Sequence, residues 1–163
     1  MNADLYFDYF DTPLGELEIG CTKTELLSVL FSKTKDHELK RKEIRSNPVS
    51  EKTKQQLNSY FKNELQNFDL PLSPQGTDFQ NRVWKELCNI PFGKTINYLT
   101  LAKKLGDPKC IRAAASANGK NQLSIIVPCH RVIGTSGKLV GYAGDLWRKQ
   151  WLLEHESTQT KLL

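Results

Sequence analysis

The chain has 163 residues, of which 39% are hydrophobic and 25% are charged, as in a soluble globular protein of one ordinary domain or two small ones. Its net charge is +5 and is unevenly spread, since residues 1–74 carry 10 basic and 12 acidic side chains and residues 75–163 carry 13 and 6. A basic second half favours a polyanion such as DNA or RNA, with a merely soluble basic surface as the alternative. No apolar run is long enough for a transmembrane helix, so we expect no membrane association.

The first half predicts a small β-rich domain. Apolar segments separated by turn residues predict an antiparallel meander, with strands at residues 6–10, 17–21 and 26–31. Residues 32–45 fit a loop or a solvated helix, and residues 51–67 predict a helix with one apolar face. Proline and glycine in residues 69–76 predict a linker, which indicates two domains, residues 1–74 and 75–163.

The four cysteines show no disulfide framework spacing, and the N-terminus lacks an export signal. We therefore expect reduced thiols in a cytoplasmic protein, or a nuclear one if the source is eukaryotic. The first half offers only Cys21 and His37 as zinc ligands, too few for a tetrahedral site, so we predict no metal.

The second half opens with a predicted helix. Thr77 and Gln80 have the spacing of a capping box. Phe79, Val83 and Leu87 then recur four residues apart and predict a buried helical stripe.

A helix–turn–helix unit is predicted next. Residues 98–105 form its first helix, which Gly106 ends, and Asp107 and Pro108 start a second helix that reaches about residue 118. Such a pair has the geometry of a DNA-binding unit. The second helix is rich in alanine over residues 113–117, which fits close approach to a groove or packing against the core equally well.

Residues 123–127 form an apolar, β-branched run that predicts a buried strand, which Pro128 should end. The strand would deliver Cys129 and His130 at its mouth. A thiol beside an imidazole is a candidate activated nucleophile. The alternatives are a small buried hydrophobe or half of a zinc site, although no further ligand pair accompanies it.

A last helix is predicted over residues 146–156, capped by Asp145 and anchored by Leu146, Leu152 and Leu153. Together these elements predict an α+β protein. It would combine a small N-terminal antiparallel β-sheet domain carrying one helix with a mostly helical C-terminal domain that contains the helix–turn–helix unit and the Cys-His motif.

The seven residues 128–134, P-C-H-R-V-I-G, resemble the active-site motif of the O6-alkylguanine-DNA alkyltransferases, also called methylated-DNA–protein-cysteine methyltransferases. The similarity extends from about Gly76 to Glu156. The resemblance implies DNA repair by direct damage reversal, in which the cysteine takes the alkyl group from O6 of guanine or O4 of thymine and keeps it. It further implies a monomer that acts once on double-stranded DNA and needs no cofactor.

The resemblance assigns catalytic roles by matching positions. Cys129 would be the alkyl acceptor and His130 its base, acting through a bridging water. Glu156 would orient His130, Asn121 would brace the active-site turn, and Tyr98 would press on the 3′ phosphate and serve as proton donor.

The resemblance also assigns DNA and substrate contacts. Arg112 matches the finger that enters the base stack, within a helix laid in the minor groove whose contact residues would be Arg112, Ala113, Ala114, Ser116 and Ala117. The flipped base would lie in a pocket formed by Ser124, Tyr142, Ala143 and Gly144, with backbone N–H groups of residues 142–144 near O6.

Two positions depart from the family pattern: Asp145 replaces a common glycine, and Ser124 replaces a proline of animal members. Three other functions fit the sequence less well. A non-catalytic binder of alkylated DNA carries Trp in place of Cys129, a cysteine hydrolase would leave the basic helix pair unexplained, and a transcription factor would leave the Cys-His-Glu set without purpose.

Overall fold

A computed structural model of the protein describes residues 4–137, 139 and 141–162, with side chains as far as residue 157. The chain divides into two compact units, Met1–Gln75 and Gly76–Leu163. Within the described residues, no helix has the length and apolar character needed to cross a membrane.

The first unit is built on the predicted antiparallel meander. Its strands are β1 (Tyr6–Thr12), β2 (Gly15–Cys21) and β3 (Leu26–Phe31), in the order β1-β2-β3. Thr12 pairs with Gly15 at the first hairpin, where Gly15 has a φ of 109°, a conformation that favours glycine. The inward side chains of β2 and β3 form a fully buried core, which includes Leu17, Ile19 and Val29.

One helix, α1 (Pro48–Phe61), packs on β1 and β2. It begins earlier and ends earlier than the predicted 51–67. Asn47 and Ser50 form a reciprocal capping box at its start, with Pro48 in the first turn, so these residues set where the helix begins. Residues 32–45 are irregular rather than helical.

The second unit is mostly helical. Its elements are α2 (Asp78–Leu87), β4 (Ile96–Asn97), α3 (Tyr98–Lys104), α4 (Ile111–Gly119), β5 (Val132–Ile133) and α5 (Leu146–Leu162), with 3₁₀ turns at Pro108–Cys110 and Cys129–Arg131. β4 and β5 pair in parallel. The predicted fold class, an N-terminal sheet domain and a helical C-terminal domain, is confirmed.

Local capping decides where the helices of this unit begin. The Thr77–Gln80 capping box is present at α2 as predicted. The α3–α4 pair follows the predicted helix–turn–helix, with Gly106 at a φ of 98° in the turn. The second helix differs in one respect, because Asp107 caps a 3₁₀ turn that leads into α4 rather than α4 itself.

The predicted strand at residues 123–127 is wrong. The segment is a buried tight turn, in which the Val127 N–H donates to the Leu123 carbonyl and the Ile126 N–H donates to that of Ser124. Ile125 has a φ of 73°, a left-handed conformation that is strained for a β-branched residue and costs about 1–3 kcal/mol. Apolar composition predicted the burial but not the turn.

The last helix, α5, begins at Leu146 as predicted and continues beyond residue 156. Leu152 is buried, whereas Leu146 is 47% exposed and is not the anchor that the sequence suggested. Lys149 and Glu156 share the buried face of α5 with Leu152. Two ionisable side chains on that face bring α5 into the candidate site.

Candidate active site

Cys129 lies in a 3₁₀ turn directly after the strained turn and is 4% exposed. Asn121 holds both turns together. Its amide nitrogen donates to Cys129 Sγ at 3.2 Å and to the Val127 carbonyl at 2.9 Å, while its side-chain oxygen accepts the Leu123 N–H at 3.0 Å. The structure therefore brings Asn121 and Cys129 into direct contact.

The Cys129 thiol is protonated in the resting site. Burial raises the pKa of the Cys129 thiol, and the Asn121 hydrogen bond and the positive charge of Lys149 oppose that rise. Because the thiolate is the nucleophilic form, reaction requires a base close to the sulfur.

His130 lies next to Cys129 in the same turn, not on an extended strand, and is fully buried. Its Nε2 lies 2.8 Å from Oε2 of Glu156, which is itself 1% exposed. An ionised carboxylate only accepts hydrogen bonds, so Nε2 donates and Nδ1 of the neutral ring carries the lone pair. This burial shows that Glu156 is not a surface carboxylate.

The other ring nitrogen is free for chemistry. His130 Nδ1 is buried and has no hydrogen-bond partner among the described protein atoms. Burial lowers the pKa of His130, and the positive charges of Arg131 and Lys149 act in the same direction while Glu156 opposes them. The ring is therefore neutral near pH 7 and can accept a proton at Nδ1.

Two charged residues without a predicted role complete this cluster. Arg131 binds both carboxylate oxygens of Glu156, with Nε 2.8 Å from Oε1 and Nη2 3.0 Å from Oε2. Lys149 is fully buried, and its ammonium donates to the carbonyls of Val132 and Gly141. Burial lowers the pKa of Lys149 to about 8, against the opposing influence of Cys129.

Tyr98 is the first residue of α3 and is 8% exposed. Asn118, a residue that the sequence did not single out, connects it to the backbone of Cys129. The Asn118 amide nitrogen lies 3.4 Å from the Tyr98 hydroxyl oxygen and 3.4 Å from the Cys129 carbonyl. Burial raises the pKa of Tyr98, so its hydroxyl is protonated and can donate.

The predicted pocket residues differ in how far they are buried. Ser124 is 5% exposed, and the Tyr142 hydroxyl is buried. Burial raises the pKa of Tyr142 well above its usual value, so its hydroxyl stays protonated. Gly144 is buried and its carbonyl accepts from Arg148 at 3.2 Å, whereas Ala143 is exposed.

Asp145 occupies the position where the family pattern has glycine. Its φ is 77°, the left-handed conformation that glycine adopts without strain. Its carboxylate lies 3.5 Å from the Arg148 guanidinium, and its backbone carbonyl accepts N–H groups in the first turn of α5. The carboxylate is thus engaged with a side chain of α5, and its predicted capping of the helix stays a prediction.

The predicted DNA-contact residues on α4 divide between two faces. Arg112, Ala113 and Ser116 are exposed. Ala114 and Ala117 are 0% and 3% exposed, and Trp84 of α2 donates its indole N–H to the Ala117 carbonyl. These two alanines belong to the core, which corrects the prediction that they contact DNA. Their small side chains let α2 and α3 approach α4.

Sequence signals existed for some of the missed residues. Arg131 stands inside the P-C-H-R motif, and Lys149 precedes Leu152 and Glu156 by three and seven residues, so all three share a helix face. Asn118 precedes a helix-ending glycine and carries no comparable signal. Within the described residues, no cluster of three His, Cys, Asp or Glu side chains suits a metal ion, and the absence of a metal stays a prediction.

Two family models match the chain. Residues 5–74 match the 6-O-methylguanine DNA methyltransferase ribonuclease-like domain, and residues 78–158 match the DNA binding domain of the same family. A methylated-DNA–protein-cysteine methyltransferase of Methanosarcina barkeri is 41% identical over 162 residues, which cover 96% of this chain and 100% of the relative. The chain belongs to the O6-methylguanine DNA methyltransferase family. The resemblance inferred from the sequence is confirmed.

Solved structures of this family agree with the fold. The O6-methylguanine methyltransferase of Mycobacterium tuberculosis is 39% identical with a TM-score of 0.86, and the alignment covers 96% of this chain and 94% of that one. A structure of the M. tuberculosis protein in complex with DNA is 40% identical, also with a TM-score of 0.86, and covers 94% of each chain.

Proposed function

We propose that this protein repairs DNA by transferring the alkyl group from O6 of guanine, or O4 of thymine, in double-stranded DNA to Cys129. The observation that carries the proposal is the buried Cys129 thiol beside a His130 whose Nε2 is engaged by Glu156 and whose Nδ1 has no protein partner. Membership of the methyltransferase family supports this chemistry.

His130 acts as the base through one water that bridges Cys129 Sγ and His130 Nδ1. The thiol proton moves through the water to Nδ1, and the imidazolium that forms is stabilised by Glu156, which stays ionised. Burial disfavours the charged Glu156, but His130 and Arg131 outweigh burial and hold its pKa well below the usual range. A positioned base of this kind contributes about 10²–10⁴-fold to a reaction rate.

The thiolate then attacks the alkyl carbon, an S–C bond forms, and the C–O6 bond breaks with its electron pair going to the purine. The Tyr98 hydroxyl donates a proton to the leaving guanine, and the proton held by His130 restores Tyr98 through solvent. The products are a thioether on Cys129 and unmodified guanine. No cofactor takes part, and none of the described groups in the site is suited to hydrolyse a thioether, so each protein acts once.

The target carbon lies inside the duplex, so the nucleotide must be flipped out to reach a buried thiol. The exposed face of α4 supports this step, because Arg112, Ala113 and Ser116 project from it. Arg112 fills the space left in the base stack, and the basic residues of the second unit bind the phosphates. The protein acts as a monomer in the cytoplasm. The flipped base of the DNA lies between Ser124 and Tyr142.

Intact-mass spectrometry tests this function. Incubation with a duplex containing O6-methylguanine should add one methyl group once, and peptide mapping should place it on Cys129 rather than on Cys21, Cys88 or Cys110. The Cys129→Ala variant should bind the duplex without any gain in mass, and the affinity should fall steeply as salt rises. Binding of the alkylated duplex by the wild-type protein with no gain in mass would instead support the non-catalytic alternative.

A further inference from the structure

Arg131 uses its whole guanidinium inside the protein. Nε and Nη2 bind the two oxygens of Glu156, and Nη1 donates to the Ile90 carbonyl at 2.8 Å. The guanidinium carbon lies 5.6 Å from the centre of the Phe92 ring, and the residue is 6% exposed. Arg131 therefore joins the loop after α2, the active-site turn and α5.

Two side chains share the carboxylate of Glu156: Arg131, which is a cation, and His130, which becomes one when it is protonated. Its Oε2 accepts from His130 Nε2 at 2.8 Å and from Arg131 Nη2 at 3.0 Å, while Oε1 is occupied by Arg131 Nε at 2.8 Å. A fork of two parallel N–H···O bonds fixes the carboxylate plane as well as its charge. The position of Oε2, and hence the orientation of the His130 ring, depends on Arg131.

We propose that Arg131 is a positioning residue that keeps His130 in its neutral, proton-accepting form by sharing the carboxylate of Glu156. The proposal rests on the proposed function, in which His130 takes the thiol proton. Without Arg131, the negative charge of Glu156 would act more strongly on His130 and would favour the imidazolium. A protonated His130 has no lone pair at Nδ1 and cannot act as the base.

The charges around His130 support this assignment. Glu156 and Lys149 act on it from α5 and Arg131 acts on it from its own turn, while the Cys88 thiol, directly after α2, lies near Arg131. Burial lowers the pKa of His130 most, Glu156 raises it, and Arg131 and Lys149 lower it. Arg131 lowers the pKa of His130 and also binds the carboxylate of Glu156, which raises it.

These charges determine the direction in which removing Arg131 should shift the pH dependence of transfer. Transfer requires neutral His130, so the rate falls as the pH drops through the pKa of His130. In the wild-type protein this acid limb lies below the usual histidine value of about 6.5. Removing Arg131 should move the acid limb and the His130 titration upward by about one pH unit, the lower end of what a single nearby charge produces.

The test compares Arg131→Met and Arg131→Lys with the wild-type protein. Methyl transfer from free O6-methylguanine base is followed by intact mass between pH 5 and 9, so that no DNA contact affects the profile. In parallel, the His130 ring is titrated by NMR in ¹³C-histidine-labelled protein with Cys129→Ser, a measurement that needs no transfer. Arg41→Met is the control, since Nη1 of Arg41 donates to both carboxylate oxygens of Glu16 in the first unit.

We expect Arg131→Met to shift both the acid limb and the His130 midpoint upward, and Arg131→Lys, which keeps the charge but not the fork, to shift them about half as far. Arg41→Met should leave both unchanged. If Arg131→Met does not fold, Arg131→Lys decides alone. A folded variant with the wild-type His130 midpoint would overturn the proposal, whereas an absence of transfer in the wild type would overturn the proposed function and leave the titration result standing.

Discussion

Asn121 donates one side-chain N–H to Sγ of Cys129 at 3.2 Å and another hydrogen bond to the Val127 carbonyl at 2.9 Å. The same side chain accepts the Leu123 N–H, so one amide closes the turn that contains Ile125 at a positive φ. A strained backbone persists only where its surroundings determine it. The Asn121 amide supplies that constraint and places the sulfur.

Asn121→Ala should therefore lower both stability and the rate of transfer. It leaves the buried Leu123 N–H without its partner, at a cost of about 1–3 kcal/mol, and removes one of the two hydrogen bonds that the Val127 carbonyl accepts. Urea unfolding followed by tryptophan fluorescence measures this, because Trp84, Trp147 and Trp151 all lie in the second unit. Asn89→Ala, at an exposed asparagine of the same unit, is the control, and equal loss in both variants would contradict the assigned brace.

Arg112→Ala should slow repair of duplex DNA far more than transfer from the free alkylated base. Arg112 is exposed on α4, and its proposed place is the space that a flipped nucleotide leaves, which a free base never opens. Rates on both substrates give the comparison. Arg112→Lys keeps the charge, so a phosphate contact alone would survive that change. Equal losses on duplex and free base would mean that Arg112 supports the fold instead.

The sequence predicted the elements that are specified locally. The Thr77–Gln80 box marks α2 because its hydrogen bonds join residues three apart, and the meander follows from alternation and turn residues. The turn at residues 123–127 was missed because its geometry depends on the side chain of Asn121, which composition does not reveal. Burial of Glu156 likewise depends on partners that are distant in sequence.

Glu156 should make the stability of the second unit depend on pH. Its folded pKa lies well below the usual range because His130 and Arg131 outweigh the opposing effect of burial. The stabilisation that ionised Glu156 provides is fully present above its unfolded pKa of about 4.3. It is lost as the pH falls toward the pKa of Glu156 in the folded protein. The lowered pKa of His130 acts in the same direction around pH 6.5, where the unfolded chain takes up the proton first.

Glu156→Gln should flatten the fall in stability below about pH 5 and reduce stability at pH 7, since breaking a buried ion pair costs about 3–5 kcal/mol. Urea unfolding from pH 3.5 to 8 measures both effects. Glu154→Gln, at an exposed glutamate of the same helix, should behave as the wild type. A wild-type slope retained below pH 5 in Glu156→Gln would contradict an ionised Glu156 in the folded protein.

Alkylation of Cys129 should destabilise the protein that has carried out repair. Cys129 is 4% exposed and its sulfur already accepts a hydrogen bond from Asn121, so an added carbon must displace packed neighbours. An extra methyl group in a tight site costs about 1–3 kcal/mol. Weakening the hydrogen bond to the sulfur, which becomes a thioether, adds about 1 kcal/mol.

Each kcal/mol lowers the melting temperature of a chain of this size by about 2–4 °C, so the methylated form should melt several degrees lower, and larger alkyl groups should lower it further. Differential scanning fluorimetry before and after one equivalent of alkylated duplex, with the DNA removed, measures the change. Cys129→Ala treated in the same way should keep its melting temperature. The methylated protein should also be cleaved faster by added protease, because it opens more often. A methylated sample that melts at or above the temperature of the untreated protein would show that the site accommodates the methyl group without strain.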